Sequence, residues 1–82
     1  MGLDTVELIM AIEEEFGISI PNAVAAELTT PRKVTDYVWE QITHERLTRE
    51  QIATQVRDVI VRQTGADDFS EDSHFVHDMG LD

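Results

Sequence analysis

The 82-residue chain has no cysteine, which excludes a disulfide framework and a thiolate metal site and leaves the redox compartment open. It is poor in positive charge: six Lys plus Arg stand against seventeen Asp plus Glu, a formal net charge of −11. Such a surface repels phosphate backbones, because nucleic-acid affinity comes from Lys and Arg displacing counterions. It suits basic patches on protein partners instead, and it argues against anionic membranes. No apolar run approaches membrane-spanning length and no signal-peptide pattern opens the chain, so a cytoplasmic protein without membrane insertion is expected. Aromatics are few, one Trp, one Tyr and three Phe within 41% hydrophobic residues. That supports one small domain with a modest core rather than an enzyme built around a large enclosed site.

What is present is helical. Residues Leu3 to Phe16 are mostly strong helix formers, and Gly17 follows where a left-handed cap belongs. After an extended stretch to Pro21, Asn22 is positioned to cap a brief helical turn over Ala23 to Glu27. Thr30 and Pro31 read as an N-cap followed by proline at the first helical position, and Val34, Tyr37, Val38 and Ile42 then repeat at helical spacing. Thr48 and Gln51 form a capping-box pair ahead of the stripe Ile52, Val56, Val59 and Ile60, which runs out near Thr64 before Gly65. The five residues Thr43 to Leu47 are a connection short enough to make the last two helices an antiparallel hairpin. The expected fold is an all-α four-helix bundle, three main helices plus one short one. The segment from Gly65 to Asp82 is acidic and aperiodic, with Phe69, Phe75, Val76, Met79 and Leu81 available to pin it to the core.

The first helix has two apolar faces. At about 100° per residue, Thr5, Leu8, Ile9, Ile12 and Phe16 share the core side. Leu3, Val6 and Met10 fall opposite, bordered by Glu7, Glu13 and Glu14. This second stripe fits a docking face, with apolar burial framed by carboxylates that steer toward Arg and Lys. Scattered exposed apolar residues are also ordinary on a small protein.

The run LDTVELIMAIEEEFG from Leu3 to Gly17 resembles the recognition helix of type II acyl carrier proteins, the part that follows their Asp-Ser-Leu modification motif. The pair Ile20-Pro21, LTT at 28–30 and TDYV at 35–38 continue the likeness without a gap. The rest resembles the beginning of the same family: a helix from Thr48 to Gln63, then Phe69, then SHFVHDMGLD from Ser73 to Asp82. All elements are present in rotated order, as in a circular permutation opened at the Asp-Ser-Leu site. Residues 3–42 correspond to the family's C-terminal half, 48–82 to its N-terminal half, and 43–47 join them within a single domain over 1–82. The family's antiparallel terminal helices allow such a joint. A dimer that swaps halves is the alternative, and a five-residue connection favours the monomer.

The resemblance implies a non-enzymatic protein that carries growing acyl chains as thioesters of 4′-phosphopantetheine in fatty acid or polyketide synthesis, in the cytoplasm or plastid stroma. Its partners would be synthase enzymes with basic docking patches and a phosphopantetheinyl transferase. By the same resemblance Leu3, Asp4, Val6, Glu7, Met10, Ala11, Glu13, Glu14 and Ile20 occupy partner-docking positions. Leu8, Ile12, Phe16, Leu28 and Tyr37, with Ile20, lie in or near the acyl pocket, or serve as plain core. The family's attachment serine is missing. Gly2, between the matches Asp82 and Leu3, stands in its place, and glycine has no hydroxyl for a phosphodiester, so no cofactor is expected on this chain. Overlaying the repeated MGLD tetrapeptides would place Thr5 after the aspartate, but only by deleting three residues from a gapless match. Ser19, Ser70 and Ser73 fit no modification motif.

Two other constellations carry less. The acidic run 67–72 with His74, His77 and Asp78 lacks EF-hand spacing and has too few strong ligands for zinc, so only incidental cation binding is expected. Ser73, His74 and Asp78 supply triad residue types in one loop without an orienting scaffold or oxyanion donors, so no catalytic residue is assigned. Trp39 is expected to pack against the joining loop and His44 to face solvent.

Overall fold

A computed structural model describes residues 3–42 and 47–81; for Leu3 only the backbone is described. It contains four helices and no strand among these residues: α1 (Leu3–Phe16), α2 (Asn22–Ala25), α3 (Pro31–Gln41) and α4 (Arg49–Thr64). The local signals explain the three long elements. Thr30 Oγ1 accepts the Lys33 N–H ahead of Pro31 at the first helical position. Thr48 and Gln51 satisfy each other in a full capping box, which removes two of the orphan donors at the start of α4. Gly17, at φ 66°, closes α1 by donating its N–H to the Glu13 carbonyl at 2.8 Å.

α2 departs from expectation. It starts at Asn22, with Pro21 as its N-cap and no side-chain cap, so Asn22 is the first helical residue rather than the cap. The Pro21 carbonyl accepts from Val24 and Ala25, and Glu27 and Leu28 then bond three residues back, to Val24 and Ala25. These shorter bonds are of the 3₁₀ type and end the helix before Glu27.

α4 packs against both α1 and α3. The Arg49–Asp36 ion pair ties the start of α4 to the middle of α3, whereas Arg57, further along α4, faces Pro31 at the start of α3 across a shallow cleft; the two helices are therefore antiparallel. Every residue of the expected α4 stripe is buried, as are Leu8, Ile9, Ile12 and Phe16 from α1 and Val34, Val38 and Ile42 from α3 and its C-cap. Thr5 and Thr35 are the buried polar residues among those described. Trp39 and Leu47 pack partly buried against this core. The expected partner of Trp39, the joining loop, lies outside the described residues except for Leu47, as does His44.

Segment 66–81 contains no regular helix and is held from outside. The Arg57 guanidinium donates to the carbonyls of Phe69 (2.9 Å) and Asp67 (2.6 Å) and lies 4.3 Å over the Phe69 ring. The Arg32 N–H donates to the Glu71 carbonyl at 2.8 Å, and its guanidinium grips the Asp72 carboxylate at 2.7 and 3.1 Å. Phe75 is a core residue, 3% exposed, while Val76 is 47% exposed. Val76 therefore does not pin the segment as expected: the turn over 75–79 directs neighbouring side chains to opposite sides, and Phe75 takes the inward place.

Candidate functional site

The outer face of α1 is the first candidate. Asp4, Glu7 and Glu14 are exposed, and Met10, at 55%, is the most exposed large hydrophobic residue among those described. Val6 and Ala11 are half-buried beside them. No ion pair among the described residues involves Asp4, Glu7 or Glu14. Three uncommitted carboxylates thus flank one side of an exposed thioether, an arrangement suited to a partner that offers a basic patch beside an apolar contact.

Two residues expected on this face are placed elsewhere. Ile20 is 6% exposed and belongs to the core. Glu13 is half-buried, and its Oε2 accepts the Ile20 N–H at 2.7 Å. The chain doubles back after Gly17 and brings the Ile20 amide over the carboxylate, so Glu13 fixes the exit from α1 rather than standing free. The Leu3 side chain, Gly2 and Asp82 lie outside the described residues.

The second candidate is a groove of about 110 Å³ between α1, α2 and the C-terminal segment. Thr5 and Ile9 form one wall, Ala25 and Ala26 the floor, and His74 to Val76 the other wall. This packing brings the C-terminal turn against the first turns of α1. The volume is well below the roughly 300–1,000 Å³ of ordinary small-molecule sites. A larger open depression of about 580 Å³ runs along α3 and is lined by Leu28, Tyr37 and Lys33 together with Glu27, Asp36 and Glu40.

The residues expected around an acyl chain are therefore divided. Leu8 and Ile12 are 1% and 0% exposed in packed core. Leu28 and Tyr37 border the α3 depression, and Phe16 borders a separate cleft with Ile42, Leu47 and Gln55. They do not line one shared cavity.

Several hydroxyls and the Asp72 carboxylate are taken up locally. Thr5 is 7% exposed. Ser73 Oγ accepts the Ser70 N–H at 3.0 Å, and Ser70 Oγ accepts the Asp72 N–H at 3.3 Å, so both serines serve the turn. The hydrogen bond from Arg32, reinforced by its charge, holds the Asp72 carboxyl below its ordinary value and raises the Arg32 guanidinium above its own. No group of three or more His, Asp or Glu suited to hold a metal ion occurs among the described residues. No described helix is long and apolar enough to cross a membrane.

Sequence reasoning missed three positioning residues: Arg32, Arg57 and His74, whose Nδ1 accepts two backbone N–H groups. The visible signal for the two arginines was sparse cation usage: with six Lys plus Arg against seventeen Asp plus Glu, each base on a helix is a candidate anchor for the acidic segment.

A small all-helical domain with an acidic, partly apolar face on its first helix is the class that these features define. Residues 3–38, a little under half of the chain, match the family described as phosphopantetheine attachment site. The match spans α1, α2 and most of α3, the elements that carry the docking face and the groove floor. No solved structure matches the chain.

Proposed function

We propose that the chain is an acyl-carrier-type domain with its elements in rotated order, and that it docks onto carrier-dependent synthase enzymes through the outer face of α1. Residues 3–42 stand for the family's C-terminal half, 48–82 for its N-terminal half, and 43–47 for the joint, within one monomeric, cytoplasmic domain. The family match over 3–38 supports this reading. So does the packing of His74 to Val76 beside Thr5 and Ile9, which puts the last turn next to the helix it would precede in the unrotated order.

In the carrier family, 4′-phosphopantetheine holds the acyl chain as a thioester for fatty acid or polyketide synthesis, and the carrier itself is not catalytic. The residues here do not fit attachment. Gly2 occupies the serine position, Thr5 is buried, and Ser70 and Ser73 are engaged in their own turn. The chain is accordingly a docking module without covalent cargo, and no acyl-transfer step is assigned to it.

The observation that carries this function is the set of three unpaired carboxylates, Asp4, Glu7 and Glu14, flanking one side of Met10 on α1. Calorimetric titration against a carrier-dependent ketosynthase tests it. Glu7→Lys combined with Glu14→Lys reverses two of the steering charges and is expected to weaken binding about tenfold at low salt. Unchanged affinity in a variant with an intact helical circular dichroism spectrum removes the proposal.

A further inference from the structure

His74 occupies the place of an N-cap at the head of the turn over 75–79, but its acceptor is a ring nitrogen. Nδ1 accepts from the backbone N–H of Val76 and of His77, each at 3.1 Å. The backbone of His74 closes the same turn: its N–H donates to Asp78 Oδ2 at 2.7 Å, and its carbonyl accepts from Asp78 and Met79 at 2.9 and 3.0 Å. This is the reciprocal logic of a capping box with imidazole in place of a hydroxyl. A nitrogen facing two N–H donors must present its lone pair, so the ring is neutral with its proton on Nε2. An imidazolium has two donors and no acceptor, and it would set N–H against N–H at this point.

The turn is also a wall. Phe75 donates its N–H to the Thr29 carbonyl at 2.9 Å, which staples the turn to the segment between α2 and α3. At the far end, Gly80 at φ 73° lets the Leu81 N–H return to the Phe75 carbonyl at 2.8 Å. Among the described residues, the titratable groups shown in contact with His74 belong to its own turn: the His77 ring, with centroids 4.2 Å apart, and the Asp78 carboxylate, which accepts the His74 N–H. Across the groove, α1 presents Thr5 and Ile9 and α2 presents Ala25, with Ala26 beyond it, none of which carries a charge. A second proton on the neighbouring His77 ring adds like charge and acts in the same direction.

We propose that His74 is a pH-operated latch on this groove: the neutral ring holds the wall closed, and its protonation releases the Val76 and His77 amides and loosens the wall. Imidazole is the side chain that can serve either as an acceptor or, once protonated, only as a donor. The latch is independent of the carrier-type function.

Amide hydrogen exchange followed by NMR at pH 5.5 and 7.5, corrected for intrinsic exchange, reads the latch directly. The protection of Val76 and His77 is expected to fall about fivefold at the lower pH, the population change that loss of a typical cap produces. The amides of Ile52 and Val56 in α4 are expected to keep theirs. His74→Asn, whose side-chain oxygen accepts at either pH, is expected to abolish the drop, and His77→Gln to retain it. Equal protection at both pH values, or a drop that persists in His74→Asn, overturns the proposal. The nitrogen-15 shifts of the His74 ring at pH 7.5 give a check without any substitution: a proton on Nδ1 is incompatible with the latch.

Discussion

Replacing Phe75 by alanine tests whether the irregular C-terminal segment 66–81 is part of the folded unit. Phe75 is 3% exposed in the core, and its N–H is bonded to Thr29. Truncating a buried phenylalanine costs about 3–5 kcal/mol from lost transfer energy plus the cavity left behind. Phe75 sits in a turn that can partly collapse onto the gap, so the lower end, about 3 kcal/mol, is expected. For a domain of this size that is a large share of a total of roughly 4–12 kcal/mol, and it lowers Tm by roughly 12–24 °C. Val76→Ala is the internal control: its side chain is 47% exposed, and the change should stay within about 0.5 kcal/mol. Thermal unfolding followed by circular dichroism at 222 nm reads both. A Phe75→Ala loss below about 1 kcal/mol, close to that of Val76→Ala, would refute the claim that this segment is anchored through the core.

The Arg32–Asp72 pair gives a signed pH prediction: the depressed folded value of Asp72 means that its contribution is fully present above the ordinary aspartate value near 3.8 and is lost as the pH falls through the lower folded value. Carbon-13 titration of the Asp72 carboxyl is expected to give a midpoint below 3.8 that returns upward in Arg32→Gln; a midpoint at or above that value contradicts the pairing. Light scattering coupled to size exclusion is expected to return the monomer mass of 9.3 kDa, and twice that mass would point to exchanged halves instead.

The long helices were legible because their determinants are local. Gly17, the Thr30 and Pro31 pair, the Thr48 and Gln51 box and Gly65 mark ends within a few residues of where they act, and the buried stripes follow the helical period. α2 was misplaced by one cap because Pro21, in an extended conformation at φ −59° and ψ 149°, supplies its carbonyl to the first turn and leaves Asn22 inside it. Segment 66–81 was opaque for the opposite reason. Its shape is set by Arg57 and Arg32, the latter forty positions from Asp72, and no periodic pattern encodes such contacts. Phe75 and Val76 read as equivalent in sequence, and only the turn separates a core residue from an exposed one.

On α1 the helical wheel separated core from outer face correctly for Thr5, Leu8, Ile9, Ile12, Phe16 and Met10. It misplaced Glu13, whose role depends on where the chain travels after the helix ends; Ile20, which the resemblance allowed either on the docking face or in the core, lies in the core. His74 was weighed as a metal ligand or triad member, and its use as a cap was missed because the usual cap residues are Ser, Thr, Asp and Asn.

The most direct test of the account is the intact mass of the chain and of its Gly2→Ser variant after incubation with coenzyme A and a broad-specificity phosphopantetheinyl transferase. The account predicts no change for the parent chain and a gain of one phosphopantetheine for the variant, because in the proposed correspondence Gly2 takes the serine position and lacks a hydroxyl. A gain by the parent chain, or none by the folded variant, would contradict it.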